Sequence, residues 1–257
     1  MPNSTFIIPV KIDSDIRLKN VHLTLKYLLH HTDSIIKIIE ADETQKLFLN
    51  KNDRVSYNFQ QSPATSFHRT RLINEMLTTV ETPITVNYDA DVLLEPNAYK
   101  NAEALILNKD IDVVYPYGFE QYDQRMLSPL VHLNTNFYDN MDLFSIQEKY
   151  IQIGYCRFGH VQFFKTSVYR SGFMENENYQ HWCPEDEERG IRFVKLGYKV
   201  IWFKNLIYHQ EHPPSSLAPP SNRHAIYELH DQLLKMNKEE ITKYYLNQDY
   251  IKKYANS

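Results

Sequence analysis

The chain has 257 residues, with 28 Lys and Arg against 32 Asp and Glu for a net charge of -4, and is 42% hydrophobic and 23% charged. Those proportions belong to a globular protein with one sizeable core, and a net negative charge offers no general attraction to nucleic acid. The only two cysteines, Cys156 and Cys183, lack Cys-x-x-Cys spacing, which argues against a disulfide scaffold or zinc ribbon and fits a reducing, cytoplasmic compartment.

No basic, long apolar leader precedes the first strand, and no later run approaches the ~20 apolar residues of a membrane span. Thr5 to Val10 reads as a buried strand. Asp15 to His30 places Ile16, Val21, Leu25 and Leu28 at helical spacing. Ser34 to Glu40 and Val55 to Phe59 are the next strands, Ser66 to Val80 a helix, and Ile84 to Tyr88 a further strand. A helix follows Pro96 to about Leu107, then the strand Ile111 to Tyr115. Strands alternating with helices predict an α/β fold with a mostly parallel central sheet flanked by helices, which binds ligands beyond the strands' carboxyl ends.

Residues 117–155 are polar, aromatic and irregular, the pattern of an insertion that shapes a pocket. Order returns at Phe158 to Phe164, with a helical pattern from Glu185 to Leu196 and a strand from Lys199 to Phe203. Pro213 to Pro220 is a linker, and the tail from Arg223 to Tyr254 has helical character.

Three segments carry candidate chemistry. In Ile84-Thr-Val-Asn-Tyr-Asp-Ala-Asp91 a β-branched run ends in two carboxylates one residue apart, and such a pair at a buried strand's tip calls for a compensating cation. The alternative is plain helix capping ahead of Glu95-Pro96. Four acids, Glu185 to Glu188, open a helix behind Trp182; the macrodipole favours acids there, but four exceed a cap's needs, and one of them could act as a general base while the indole stacks on a sugar. His209 and His212 stand three apart after a strand, where they could share one ion; surface decoration is the alternative. Lys11, Arg17, Arg69 and Arg71 are the basic side chains near the amino-terminal strands that could pair with phosphate.

Taken together these segments resemble GT-A glycosyltransferases, most closely the β-1,4-galactosyltransferase group and related bacterial family 2 enzymes. Phe67-His-Arg-Thr-Arg-Leu-Ile-Asn74 is similar to the family's Phe-Asn-Arg-Ala-Lys-Leu-Leu-Asn, Asp89-Ala-Asp91 to its Asp-Val-Asp (the DxD motif), and Phe158-Gly-His-Val161 to its Phe-Gly-Gly-Val. Ser171-Gly-Phe173 and Asn178-Tyr-Gln-His-Trp-Cys-Pro-Glu-Asp-Glu-Glu188 resemble its Asn-Gly-Phe and Asn-Tyr-Trp-Gly-Trp-Gly-Gly-Glu-Asp-Asp-Asp, in the same order.

The resemblance implies a single GT-A domain over residues 1–221, with a nucleotide-sugar half near 1–116 and an acceptor half near 150–212, then a helical extension over 222–257. It implies an inverting, metal-dependent transfer of a hexose or N-acetylhexosamine, galactose or N-acetylgalactosamine favoured, from a UDP-sugar to a saccharide or lipid-linked saccharide acceptor in polysaccharide biosynthesis. It assigns Asp186 as catalytic base, and Trp182, Glu185 and Glu187 to the acceptor. Pro9, Lys11, Arg17, Phe67, Arg69, Asp89 and Gly159 fall to the donor, and Asp91, His209 and His212 to the metal, manganese. His209 stands where vertebrate members carry methionine; nitrogen is the harder donor, so magnesium should be tolerated too. The family's Pro-Phe-Arg-Asn-Arg is here Pro9-Val-Lys-Ile-Asp13, and its two glycines before the acidic helix are Cys183 and Pro184, which should stiffen that loop. A nucleotidyltransferase remains an alternative although Pro9 to Arg17 lacks a glycine-rich loop, as does a non-catalytic sugar-binding protein. The stretch from Lys243 to Tyr254 reads as a solvated amphipathic helix, with peripheral membrane contact as the alternative.

Overall fold

The structure, a computed structural model, describes residues 1–118, 125–128, 141, 151–154, 157–180, 183–215, 217 and 221–255. Strand β1 (Ser4–Val10) is buried along its whole length, as a continuous apolar run should be when helices cover both faces of a sheet. It pairs in parallel with β2 (Ile35–Asp42) and with β4 (Ile84–Tyr88), and β3 (Val55–Gln61) adds in parallel outside β2. Helix α1 (Asp15–His31) joins β1 to β2 and starts at Ser14, whose side chain accepts from the Arg17 amide. Helix α2 (Arg69–Thr78) precedes β4; it begins three residues later than its apolar spacing predicts, because Pro63 to His68 is taken up in loop structure.

Beyond β4 the sheet continues through β9 (Val161–Lys165), β6 (Val113–Tyr115) and β10 (Val200–Trp202), giving seven strands in the order β10-β6-β9-β4-β1-β2-β3. Only β9 runs antiparallel to its neighbours. That reversal matters for the site: Tyr88 pairs with Val161, so the entry to β9 lies against the exit of β4. The expectation of a mostly parallel sheet flanked by helices therefore holds. Helix α3 (Pro96–Asn108) covers β6 and β9, and the short α4 (Thr166–Ser171), which the sequence pattern does not announce, follows β9.

A second sheet of order β5-β11-β7-β8 contains β5 (Val92–Leu93), β7 (Arg125–Ser128), β8 (Ile151–Gly154) and β11 (Ile207–Gln210). Two strands thus occupy the described parts of the region expected to be irregular; the rest of 119–156 lies outside the described residues apart from Met141. His209 sits inside β11, not after a strand end.

Helix α5 (Glu185–Leu196) ends at Gly197 in the left-handed conformation, φ 93°, as a C-terminal glycine commonly does. Gly190 permits its close approach to the sheet, since a Cβ there would overlap the Phe158 ring. Helices α6 (Arg223–Lys235), α7 (Lys238–Leu246) and α8 (Asp249–Ala255) account for the helical tail. Ile226 and Leu233 pack with Tyr179, and Tyr245 is fully buried with its ring stacked on Phe173, centroids 5.2 Å apart. The Tyr245 hydroxyl donates to Glu188 at 2.7 Å and that of Tyr250 to Asn176 at 3.1 Å. Among the described residues no helix is long and apolar enough to cross a membrane.

Candidate active site

Strand pairing assembles a cleft of about 600 Å³ at the carboxyl ends of β1 and β4, lined by Pro9, Lys11, Arg17, Phe67, Arg69, Asp89, Asp91, Glu185, Asp186, His209 and His212 together with several neighbours. Eleven residues assigned from sequence thus meet in one place. Asp91 and the histidines, more than a hundred residues apart in the chain, are joined by backbone register. Val92 of β5 pairs with His209 of β11, and the Gln210 amide donates to the Asp91 carbonyl at 2.7 Å.

The result is a compact donor set. One carboxylate oxygen of Asp91 and one ring nitrogen from each of His209 and His212 lie within 4.8 Å of one another. His212 Nε2 is 3.1 Å from Asp91 Oδ2 and His209 Nε2 is 3.6 Å from Oδ1, while the Arg17 guanidinium stays 3.8 Å away. Burial would raise the Asp91 carboxyl, but His209 and then His212 hold it below its ordinary value. His212 is raised: burial lowers it, and the bond to Asp91 more than reverses that. One anionic oxygen and two imidazole nitrogens suit manganese or zinc chemically, so the residues present fit a divalent ion.

Asp89 has a different environment. Its Oδ1 receives the Arg69 guanidinium at 2.7 Å and its Oδ2 faces His160 Nδ1 at 3.5 Å. Against the cost of burial, Arg69 and then His160 hold Asp89 well below the ordinary carboxylate range. Arg69 opens α2 and also reaches Glu185 Oε1 at 3.5 Å and Asp186 Oδ1 at 3.6 Å, so one guanidinium ties Asp89 to the acidic helix.

The first turn of α5 splits into four destinations. Asp186, 27% exposed, faces the cleft; Arg69 and Arg189 both contact its Oδ1, which leaves Oδ2 available to a ligand. Glu185 is buried, accepts from the Cys183 thiol at 3.3 Å, and is pushed up to about 8 by burial and then by the Asp186 charge. Glu188 points inward to Arg192 at 2.9 Å. Glu187, expected at the acceptor, instead meets His230 of α6 at 3.3 Å and is not part of the cleft lining, because successive helix positions turn by about 100°. Gly159 is likewise outside the lining; its carbonyl accepts from the Tyr117 hydroxyl. Trp182 lies outside the described residues. Lys11 lines the cleft but is also drawn to Asp42 and the Ser66 carbonyl, each at 3.5 Å.

Several residues that hold this arrangement escape a sequence reading. Arg189, fully buried, donates twice to Glu175 at 2.8 and 2.9 Å, once to Gln162 at 2.9 Å, and to Asp186. Asn74 of the Phe67 to Asn74 motif brackets Glu175: its amide donates to the Glu175 carbonyl at 3.0 Å and its oxygen accepts the Glu175 amide at 2.8 Å. His160 also lines the cleft, at φ 67°, a conformation uncommon for a residue other than glycine.

No family model and no characterised protein sequence matches the chain. Solved structures do. A variant of Drosophila β1,4-galactosyltransferase 7 in complex with manganese, UDP-Gal and xylobiose aligns with TM-score 0.52 at 12% identity over 92% of this chain and 81% of that one. S. aureus TarS (1–349) in complex with UDP-GlcNAc gives TM-score 0.56 at 11% identity, covering 92% and 68%. GalNAc-T7 with UDP, GalNAc and Mn2+ gives 0.56 at 13% over 88% of this chain, which spans 48% of that chain. At such identities the likeness establishes the fold, and the fold is GT-A.

Proposed function

We propose that this chain is an inverting, divalent-metal-dependent glycosyltransferase that moves a hexose or N-acetylhexosamine from a UDP-sugar to a saccharide hydroxyl with formation of a β-linkage. The observation that carries the reading is the convergence, in one cleft of a GT-A fold, of the Asp91–His209–His212 donor set with a carboxylate, Asp186, that two arginines orient. Asp91, His209 and His212 would hold manganese, with magnesium as a substitute. Bound there, the ion would neutralise charge developing on the departing diphosphate.

The chain's own residues supply the remainder. Lys11, just after β1, and Arg17, in the first turn of α1, both line the cleft and offer donors to phosphate oxygens. Asp89 and Phe67 face the nucleoside side of the donor, with Asp89 fixed by Arg69. At the other end Asp186 Oδ2 takes the proton of the acceptor hydroxyl as its oxygen attacks the anomeric carbon and the bond to the diphosphate breaks. A single base opposite the leaving group gives inversion. Glu185, which keeps its proton to about pH 8, presents a neutral carboxyl that can donate to an acceptor oxygen.

Calorimetry with UDP, with and without Mn2+, tests the donor half: UDP binding that needs metal is expected, and metal-independent sugar binding without UDP affinity would instead favour a lectin-like role. Asp186→Asn tests the acceptor half. It should keep Mn2+-dependent UDP binding and lose UDP release with a panel of mono- and disaccharide acceptors; retained turnover would refute the role of Asp186.

A further inference from the structure

His160 occupies a position that glycine would fill without steric cost. Its φ is 67°, its carbonyl accepts the Asp89 amide at 2.9 Å, and β9 pairing fixes its backbone. The imidazole, 8% exposed, stands with Nδ1 3.5 Å from Asp89 Oδ2 and with its ring centroid 5.4 Å from that of His209. The side chain therefore adds volume to the cleft lining at a backbone position where an L-residue is disfavoured.

A series of contacts links the histidine pair to the acidic helix. His212 and His209 meet Asp91, the His209 ring meets His160, His160 meets Asp89, Asp89 meets Arg69, and Arg69 meets Glu185 and Asp186. An in-line displacement places the reacting carbon between the leaving diphosphate oxygen and the attacking hydroxyl. On the function proposed above, on which this inference rests, the transferred sugar spans the stretch between the Asp91 set and Asp186. His160 lines the cleft between its contacts with His209 of that set and with Asp89, which Arg69 joins to Asp186.

We propose that His160 is a specificity-determining residue for the donor sugar, and that its ring narrows the cleft so that an unsubstituted hexose is preferred to its 2-acetamido counterpart. The discrimination is steric, so removing the ring should relax it. A few heavy atoms of extra room in a sugar pocket change selectivity by tenfold or more.

The experiment measures kcat/KM for UDP release from UDP-glucose, UDP-galactose, UDP-GlcNAc and UDP-GalNAc with Mn2+, for the wild type, His160→Gly, His160→Ala and His160→Asn. Glycine and asparagine both tolerate the left-handed backbone, so at least one variant keeps the fold, checked by circular dichroism and Mn2+–UDP calorimetry. The expected result is a hexose preference in the wild type that falls at least tenfold in His160→Gly, with His160→Asn between the two. A structural role alone would lower all four donors together, and a hexose to N-acetylhexosamine ratio within twofold of wild type in the folded variants overturns the inference. Wild-type protein that turns over none of the four donors brings down the underlying function instead, and this inference with it.

Discussion

Replacing Arg189 by methionine perturbs the most deeply buried charge behind the site. Methionine keeps much of the volume and removes every charged contact: two hydrogen bonds to Glu175, one to Gln162 and one to Asp186. Glu175 is itself fully buried and would keep the Tyr169 hydroxyl as a side-chain donor, but its carboxylate would lose its hydrogen-bonded countercharge. Breaking a buried pair by deleting one member costs about 3–5 kcal/mol. With a denaturant slope of about 3 kcal/mol per molar urea, the unfolding midpoint should fall by more than about 1 M. Glu175→Gln in the same chain removes the stranded charge, and the double variant should recover at least about 1 kcal/mol relative to the sum of the single changes. Because Arg189 also orients Asp186, kcat should fall in Arg189→Met while Mn2+-dependent UDP affinity holds. Additivity of the two substitutions within about 0.5 kcal/mol would show that the charges are not coupled, and the reasoning fails.

Two pH dependences follow from the same cleft. Glu185, moved from its ordinary 4.5 to about 8 by burial and the Asp186 charge, binds a proton in the folded state that the unfolded chain releases. Its contribution to stability is complete below 4.5 and is lost as pH rises to about 8, at up to about 1.4 kcal/mol per pH unit; Glu185→Gln should flatten urea midpoints measured from pH 5 to 9, and an unchanged slope rejects the assignment. At the other end, a proton that Asp91 stabilises on His212 must leave before that nitrogen can coordinate. Mn2+ affinity should therefore weaken by up to about tenfold per pH unit on the acid side of His212 titration, and calorimetry in buffers of different ionisation enthalpy should detect the released proton. His212→Ala should abolish that release.

The legible parts of this molecule are those written in local pattern. A β-branched run that stops at Asp89 and Asp91 can hardly be anything but a buried strand with its charges at the exposed end, and β4 is that strand. The apolar run Val161 to Lys165 reads the same in either direction, so nothing in it announces that β9 is antiparallel, yet that reversal is what sets His160 beside Asp89. The meeting of Asp91 with His209 depends on a two-residue strand, Val92–Leu93, too short to leave a periodic signal. The four acids of α5 look equivalent in sequence. The packing of α2 on one side and of α6 and α7 on the other sends Glu185 and Asp186 to Arg69, Glu187 to His230 and Glu188 to Tyr245, while Glu188 also pairs with Arg192 one turn along α5.

The electrostatics also bear on which of the two carboxylates, Asp89 or Asp91, is better placed to take a metal ion in the proposed enzyme. Asp89 already has a permanent cation at 2.7 Å, and an incoming ion would have to displace an arginine that three other groups, Asn87, Glu185 and Asp186, also hold. Asp91 has no such rival, because its nearest guanidinium is 3.8 Å away and is shared with Asp13 at 2.8 Å. Its close partners are imidazoles, which become ligands once they lose a proton, whereas a guanidinium cannot. Asp186 is excluded on the same ground as Asp89, by Arg69 and Arg189. In the proposed enzyme the close guanidinium contacts therefore sit on Asp89 and Asp186, and Asp91, whose close partners are two imidazoles, is the carboxylate proposed to receive the ion.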